Sequence, residues 1–305
     1  MVSDTLGAPS TANRGRIPRP DESPDVVRAG EARGGRRMAE LALDDVLAVL
    51  DLDAQGPDTF VGVNQSLPAH RVFGGQLLAQ SIVAASRTVR DQAPIHSLHA
   101  YFLRPGDPAA PIRYAVDRTR DGRSFTARRV EATQHGRTVF QMLASFQEPG
   151  PGPRHQDTMP SVPAPETLET WYPFGAGSGP LEMRRVAAED TDRARSAVWV
   201  RPTGPLPDEA LPHTALLAYL SDFSILHAAM RAHSLRHDGV RAKTASLDHV
   251  MWFHRRARAD DWLLYDTESP SACDARALGV GRLFHRDGTL LATVGQEGMV
   301  RVLTG

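Results

Sequence analysis

The sequence predicts an α+β chain made of two tandem units, each an antiparallel sheet wrapped around one long central helix. Three observations predict it. First, Ser97 to Glu148 and Ser246 to Glu297 read as copies of one module. One opens Ser97-Leu98-His99 and closes Phe146-Gln147-Glu148; the other opens Ser246-Leu247-Asp248-His249 and closes Gly295-Gln296-Glu297. The serines stand 149 residues apart (246 − 97), as do the glutamines (296 − 147), and a repeat of that length implies two similar subdomains. Second, turn signals such as Asp121-Gly122, His135-Gly136 and Asp287-Gly288 separate strand-like runs within the copies, which marks hairpins. Third, each copy follows an apolar run containing Leu-Leu-Ala, at Leu77-Leu78-Ala79 and Leu216-Leu217-Ala218. An antiparallel sheet needs cover over its apolar face, and a long helix of small residues supplies it. Helix inside sheet, twice over, is a double hotdog.

The elements follow in order. Residues 1–37 are rich in Pro, Gly, Arg, Asp and Ser, too polar to offset their ordering entropy, and read as a disordered tail. Met38 is a plausible alternative translation start. The first unit, 38–150, opens with helical spacing over 39–50 and a short strand at 58–64. Gly74-Gly75 turns the chain into a buried helix, and strands are expected at 96–103, 112–120, 124–134 and 138–147, as a meander in that order. A Pro/Gly-rich connector occupies 151–178. The second unit, 179–305, begins with strands at 181–188 and 197–202. A continuous helix is expected across 214–230, then strands at 245–254, 262–268, 275–285 and 290–302.

Bulk properties exclude several classes. A formal net charge of −1 over 305 residues gives no basic field for nucleic acid. No apolar run approaches the roughly 20 residues needed to span a bilayer, and the start lacks a signal-peptide pattern. The lone Cys273 reads as a small packed residue, since it can form no internal disulfide. A cytoplasmic protein is expected. Exposed sheet edges and apolar backs suggest a homo-oligomer.

Four motifs carry a family resemblance: Arg71-Val72-Phe73-Gly74-Gly75-Gln76, Tyr101-Phe102-Leu103-Arg104-Pro105-Gly106-Asp107, Arg120-Asp121-Gly122-Arg123-Ser124-Phe125 and Asp248-His249-Val250-Met251-Trp252-Phe253-His254. Together they resemble the type II acyl-CoA thioesterases, in order, from about Leu41 to Arg301. That resemblance implies a double hotdog that hydrolyses medium- to long-chain acyl-CoA to fatty acid and CoA, with no metal and no cofactor. It implies a catalytic set of an acid on the second helix, a Thr or Ser on the next strand and a Gln on the last strand. Here these are Asp222, Ser246 and Gln296. Ser in place of Thr keeps the hydroxyl on a less stiff side chain.

The residues support that chemistry in their own right. Thioester hydrolysis needs a positioned water, a group to take its proton and donors for the oxyanion. Asp222 lies in an apolar stretch, where an unpaired carboxylate is costly; Ser246 and Gln296 can each donate to and accept from a water. Gly74, Gly75 and Gln76 at a helix start are candidate oxyanion donors, and His96 a candidate positioning residue. Arg104, Arg123, Arg128 and Arg276 are candidate contacts for the phosphates of the acyl-CoA partner. Asp248 is the competing acid. Aligned on Leu-Leu-Ala, Asp222 corresponds to Val83, which places one active centre in the second half. Two alternatives stay open. Asp222 and His227 have the spacing of a hotdog enoyl-CoA hydratase, without its Asn-Pro, and a non-catalytic acyl-CoA binding module is the other alternative. No G-x-S-x-G elbow or H-E-x-x-H occurs in the chain.

Overall fold

The computed structural model describes residues 41–65, 71–90, 93–171, 179–187, 194–235, 242–256 and 258–303. The expected disordered tail, the Met38 start and the end of the connector after Trp171 lie outside them. In chain order the elements are α1 (Leu43–Ala48), β1 (Asp53–Gly56), β2 (Thr59–Gly62), α2 (Gly74–Ser86), β3 (Ile95–Phe102), β4 (Ile112–Asp121), β5 (Phe125–Gln134) and β6 (Arg137–Gln147). The second half carries β7 (Leu181–Arg185), β8 (Arg195–Pro202), α3 (Ala210–Ser221), α4 (His227–Ala232), β9 (Ala242–Ser246), β10 (Asp248–Phe253), β11 (Leu263–Cys273), β12 (Arg276–His285) and β13 (Leu290–Val302). No described helix is long and apolar enough to cross a membrane.

All the strands join one antiparallel sheet in the order β1-β2-β4-β5-β6-β3-β10-β13-β12-β11-β8-β7, with β9 paired to β13. The expected meander is corrected here. β4, β5 and β6 do run as consecutive hairpins, but β3 lies beyond β6 rather than beside β4. That place lets β3 pair with β10 from Ser97↔Trp252 to Tyr101↔Asp248, so the ladder runs unbroken between the halves. Strand β11 also runs past its expected end. Asp274 and Ala275 turn it back with positive φ at both residues, a primed turn made without glycine. Cys273, at that strand's end, is exposed rather than packed.

Helix α2 is buried along nearly its whole length, with Leu78, Ala79 and Ile82 fully excluded from solvent. Its small residues allow close approach, and it packs on β4, β5, β6 and α3. The second helix is not continuous. α3 stops at Ser221, residues 222–226 form turns, and α4 begins at His227. Ser221 Oγ lies 2.8 Å from the carbonyl of Ala218, a back-bonding contact that loosens helices. The freed backbone packs onto β12 at Gly279, where a Cβ would stand 2.4 Å from the Ile225 carbonyl oxygen. Strand 245–254 is likewise interrupted, at Leu247, which separates β9 from β10.

The hairpins also correct the register of the repeat. β5 ends at Gln134 and β12 at His285, with positive-φ glycines in the turns after them, Gly136 and Gly288. Matched there, Arg128 takes the place of Gly279, and Ala144 takes the place of Gln296. Ala144 pairs with Leu98, as Gln296 neighbours His249 one step beyond the Val250↔Gly295 pair. Ser97 and Gln147 are therefore not the counterparts of Ser246 and Gln296. Their places in the first half hold Ile95 and Ala144, both buried and apolar.

Gly279→Ala should destabilise the protein by about 1–3 kcal/mol, the usual cost of overpacking. Its Cβ meets backbone rather than a movable side chain, so urea denaturation should show a lower midpoint.

Candidate active site

Three elements bring the site together. Asp222 is the C-cap of α3, Ser246 ends β9, and Gln296 lies within β13, the strand that pairs with β9. The break in the second helix therefore sets Asp222 at a helix end rather than on a helix face. Ser246 Oγ donates to Asp222 Oδ1 at 3.2 Å. Gln296 Nε2 donates to Ser246 Oγ at 3.0 Å. The other end of that amide, Oε1, accepts from Nδ1 of the buried His249.

The start of α2 closes the site from the first half. A Cβ on Gly74 would lie 2.6 Å from Asp222 Oδ2 and 2.9 Å from the Phe102 ring. Glycine is needed for that approach, because any side chain would take the carboxylate's space. The Gly75 backbone N–H favours the charged carboxylate, and the positive end of the α2 dipole supports it. Phe73 packs against Tyr219 and Phe223 at centroid separations of 5.1 and 4.8 Å, which makes the surround apolar.

Burial pushes the Asp222 carboxyl up to about 6, against the opposing pull of Gln296, Ser246, the Gly75 N–H and Arg71. Arg71 is itself held on the Thr244 carbonyl at 3.0 Å. Burial also pushes the His249 imidazole down to about 4, so that ring is neutral near pH 7. An oxygen base that titrates near 6, beside a hydroxyl and an amide, can bind a water and accept its proton.

The other expected residues are placed differently. Gln76 spends its side chain on Asn64, Gln80 and the backbone of Val63 and Gln65, and its N–H on the Phe73 carbonyl. His96 bonds Ser145 at 2.8 Å, outside the Asp222 hydrogen bonds. Asp248 accepts the Glu297 backbone N–H at 2.7 Å, a structural use. Arg104 donates to the Thr138 carbonyl and Arg276 to Glu297, both at the surface, and Arg123 is exposed. Arg128 is fully buried, bonded to Thr88, Asp121 and the carbonyls of Arg120 and Ala127. It ties β5 to the end of α2 and presents no cation to a ligand. His249, Arg71 and the steric role of Gly74 were not foreseen. The dipeptide Asp248-His249, directly after Ser246-Leu247, was the available signal for His249. Among the described residues no cluster of three His, Cys, Asp or Glu side chains could hold a metal ion.

Comparison with known proteins bears on this geometry. Residues 181–299 match the family model described as acyl-CoA thioesterase, and 64–147 match that of the acyl-CoA thioesterase N-terminal domain. The chain is 39% identical to acyl-coenzyme A thioesterase 8 of Homo sapiens, over 92% of this chain and 97% of that protein. It is 41% identical to the crystal structure of an acyl-CoA thioesterase II from Mycobacterium marinum, with a TM-score of 0.75, covering 87% of this chain and all of that one. A protein from Alicyclobacillus acidocaldarius described as having a hot dog fold superposes with a TM-score of 0.71 at 18% identity, over 85% of this chain and 98% of that one. That likeness shows the fold.

The raised Asp222 value carries a stability consequence. A carboxyl whose folded value lies above its unfolded one favours folding most when protonated, and that contribution is lost as pH rises through about 6. Asp222→Asn removes the buried charge, so it should raise the urea midpoint at about pH 8 and gain less at about pH 5. Paired denaturation curves at the two pH values check the sign.

Proposed function

The chain belongs to the acyl-CoA thioesterase family and hydrolyses acyl-CoA thioesters, and on that premise we propose that the reaction runs at Asp222 by direct attack of a bound water. The observation that carries this reading is the convergence of Ser246 and Gln296, from two strands, on a carboxylate that titrates near 6.

Asp222 accepts a proton as the water oxygen bonds to the thioester carbonyl carbon. Ser246 and Gln296 hold that water in line. The tetrahedral oxyanion develops beside the first turn of α2, whose partial positive charge favours it. Of the candidate donors there, Gly75 already serves Asp222. Collapse breaks the carbon–sulfur bond, and the proton held by Asp222 passes to the departing CoA thiolate. Free fatty acid and CoA leave.

For the substrate, the aromatic surround of Phe73, Phe102, Tyr219 and Phe223 favours a medium- to long-chain acyl group. Arg104, two residues past Phe102, and Arg276, whose neighbour Ala277 pairs with Gly298 beside Ser246, are the proposed phosphate contacts. Arg123, exposed on the β4–β5 turn, is a third candidate. We read the architecture as two tandem hotdog units with α2 and α3 as their central helices. Self-association is proposed through the outer face, where Tyr101, Leu143 and Trp252 are exposed. The hydratase alternative fares worse, since His227 packs its ring on Trp171 at 5.4 Å while Asp222 engages Ser246 and Gln296.

Free CoA released from palmitoyl-CoA, followed with a thiol reagent, tests the reading. Asp222→Asn should lower kcat by about 10²- to 10⁴-fold, the range for a lost general base. Gln296→Ala should lower it less, and Ser246→Thr should remain active because the hydroxyl is kept. The wild-type rate should fall as pH drops through about 6, where the base becomes protonated. Undiminished turnover in Asp222→Asn would sink the proposal. Acyl-CoAs of increasing length, compared by kcat/KM, test the chain-length preference.

A further inference from the structure

Ser221 and Asp222 are adjacent at the end of α3, and a run of hydrogen bonds leaves one and returns to the other. Ser246 Oγ donates to Asp222 Oδ1 at 3.2 Å, and Gln296 Nε2 donates to Ser246 Oγ at 3.0 Å. Gln296 Oε1 meets His249 Nδ1, and His249 Nε2 lies 3.0 Å from Ser221 Oγ. Ser221, His249 and Gln296 are all buried, so the two bonds among them are made away from water, where an unmade one is costly.

The direction of this ring follows from donor and acceptor chemistry. An amide oxygen only accepts, so His249 must carry its proton on Nδ1. Nε2 is then bare and takes the Ser221 hydroxyl proton, shared with the Ala218 carbonyl 2.8 Å away. With the imidazole so arranged, the Gln296 NH2 faces Ser246, and the Ser246 hydroxyl proton is directed at Asp222. A primary amide has no intrinsic preference between its two ends; its partner chooses.

We propose that His249, as the neutral Nδ1–H tautomer, is a positioning residue that fixes the Gln296 amide so that every donor in the ring points toward Asp222. This rests on the reading of Asp222 as the catalytic base. Without the Nδ1 donor the amide can reverse. Gln296 Oε1 then takes the Ser246 proton, and Asp222 loses the Ser246 donor, one of those that favour its charged form. The other titratable groups around Asp222 are Arg71 and the phenols of Tyr219 and Tyr265, which burial keeps neutral. Neither phenol can replace the lost donor, because Tyr219 donates to Gln65 and Tyr265 to the Ser221 carbonyl.

Two variants and one measurement on the unaltered protein test this. His249→Phe fills the site without a donor. It should lower kcat by about 10- to 100-fold, the worth of one hydrogen bond to a charged group. KM should hold, and the acid limb of the rate profile should move upward by about one pH unit. His249→Asn keeps an N–H near the Nδ1 position and should restore most of both. Wild-type rates in both variants, or equal losses with the limb unmoved, would overturn the proposal. Nitrogen NMR of imidazole-labelled wild-type protein, with His249 assigned from the Asn variant, should show the Nδ1–H tautomer at neutral pH. The Nε2–H tautomer would overturn it whatever the variants do. Asp222→Asn assayed alongside separates the two claims, because full activity there defeats the catalytic reading while the tautomer still judges His249.

Discussion

A carboxylate withdrawn from water must be compensated by donors or it protonates, and the arrangement around Asp222 is organised by that constraint. The helix break puts Asp222 at the end of α3, where a side chain can turn into the gap between elements. Left alone there, it would face the negative end of its own helix. The start of α2 offsets this with the Gly75 N–H, and Gly74 lets it come close. Ser246 and Gln296 supply further donors from neighbouring strands. The compensation is partial, so the group titrates near 6 rather than at the ordinary carboxylate value. Full compensation would leave a poor base, and none would leave a neutral acid.

The two halves share a plan and differ where this constraint applies. In the hairpin register the first half has Leu98, Ala144 and Ile95 where the second has His249, Gln296 and Ser246. Apolar side chains there need no partners. A second difference lies one strand away. Arg128 fills the position that Gly279 leaves open, and its guanidinium bonds the Thr88 carbonyl just beyond α2. The second half instead admits the backbone of Ile225 at that position. One half closes its helix with a buried cation; the other breaks its helix and presents an acid.

Much of this was legible in the sequence because it rests on local signals. Period-two runs and the Asp-Gly and His-Gly turns locate β4, β5, β6, β12 and β13 to within a residue or two, and the Leu-Leu-Ala runs locate both helices. Asp222, Ser246 and Gln296 came from motif resemblance, and the structure brings those three side chains together. The break at 222 was hidden, since Phe223, Ile225 and Leu226 continue an apolar pattern that a buried helix shares. The place of β3 was hidden because strand order is a matter of non-local pairing. The Ser-Leu and Gln-Glu pairs match the repeat two or three residues away from the hairpin register; a slip of two keeps the face of the sheet but changes the residue on it, and a slip of three changes the face as well. Arg128 reads from the sequence as a phosphate contact and His249 as an ordinary strand residue, and the uses of both depend on partners distant in the chain.

The central claim is that Asp222 activates water rather than attacking the thioester itself. A single turnover in heavy-oxygen water, with enzyme in excess over palmitoyl-CoA and hydroxylamine present to capture any anhydride as a hydroxamate on the Asp222 peptide, separates the two routes. That hydroxamate would contradict direct attack even where water opens the anhydride at the acyl carbon. Direct attack predicts the heavy oxygen in the fatty acid from the first turnover and none in the protein. Heavy oxygen in the Asp222 carboxyl, found by mass spectrometry of the peptide that contains it, would show a covalent anhydride and contradict the account.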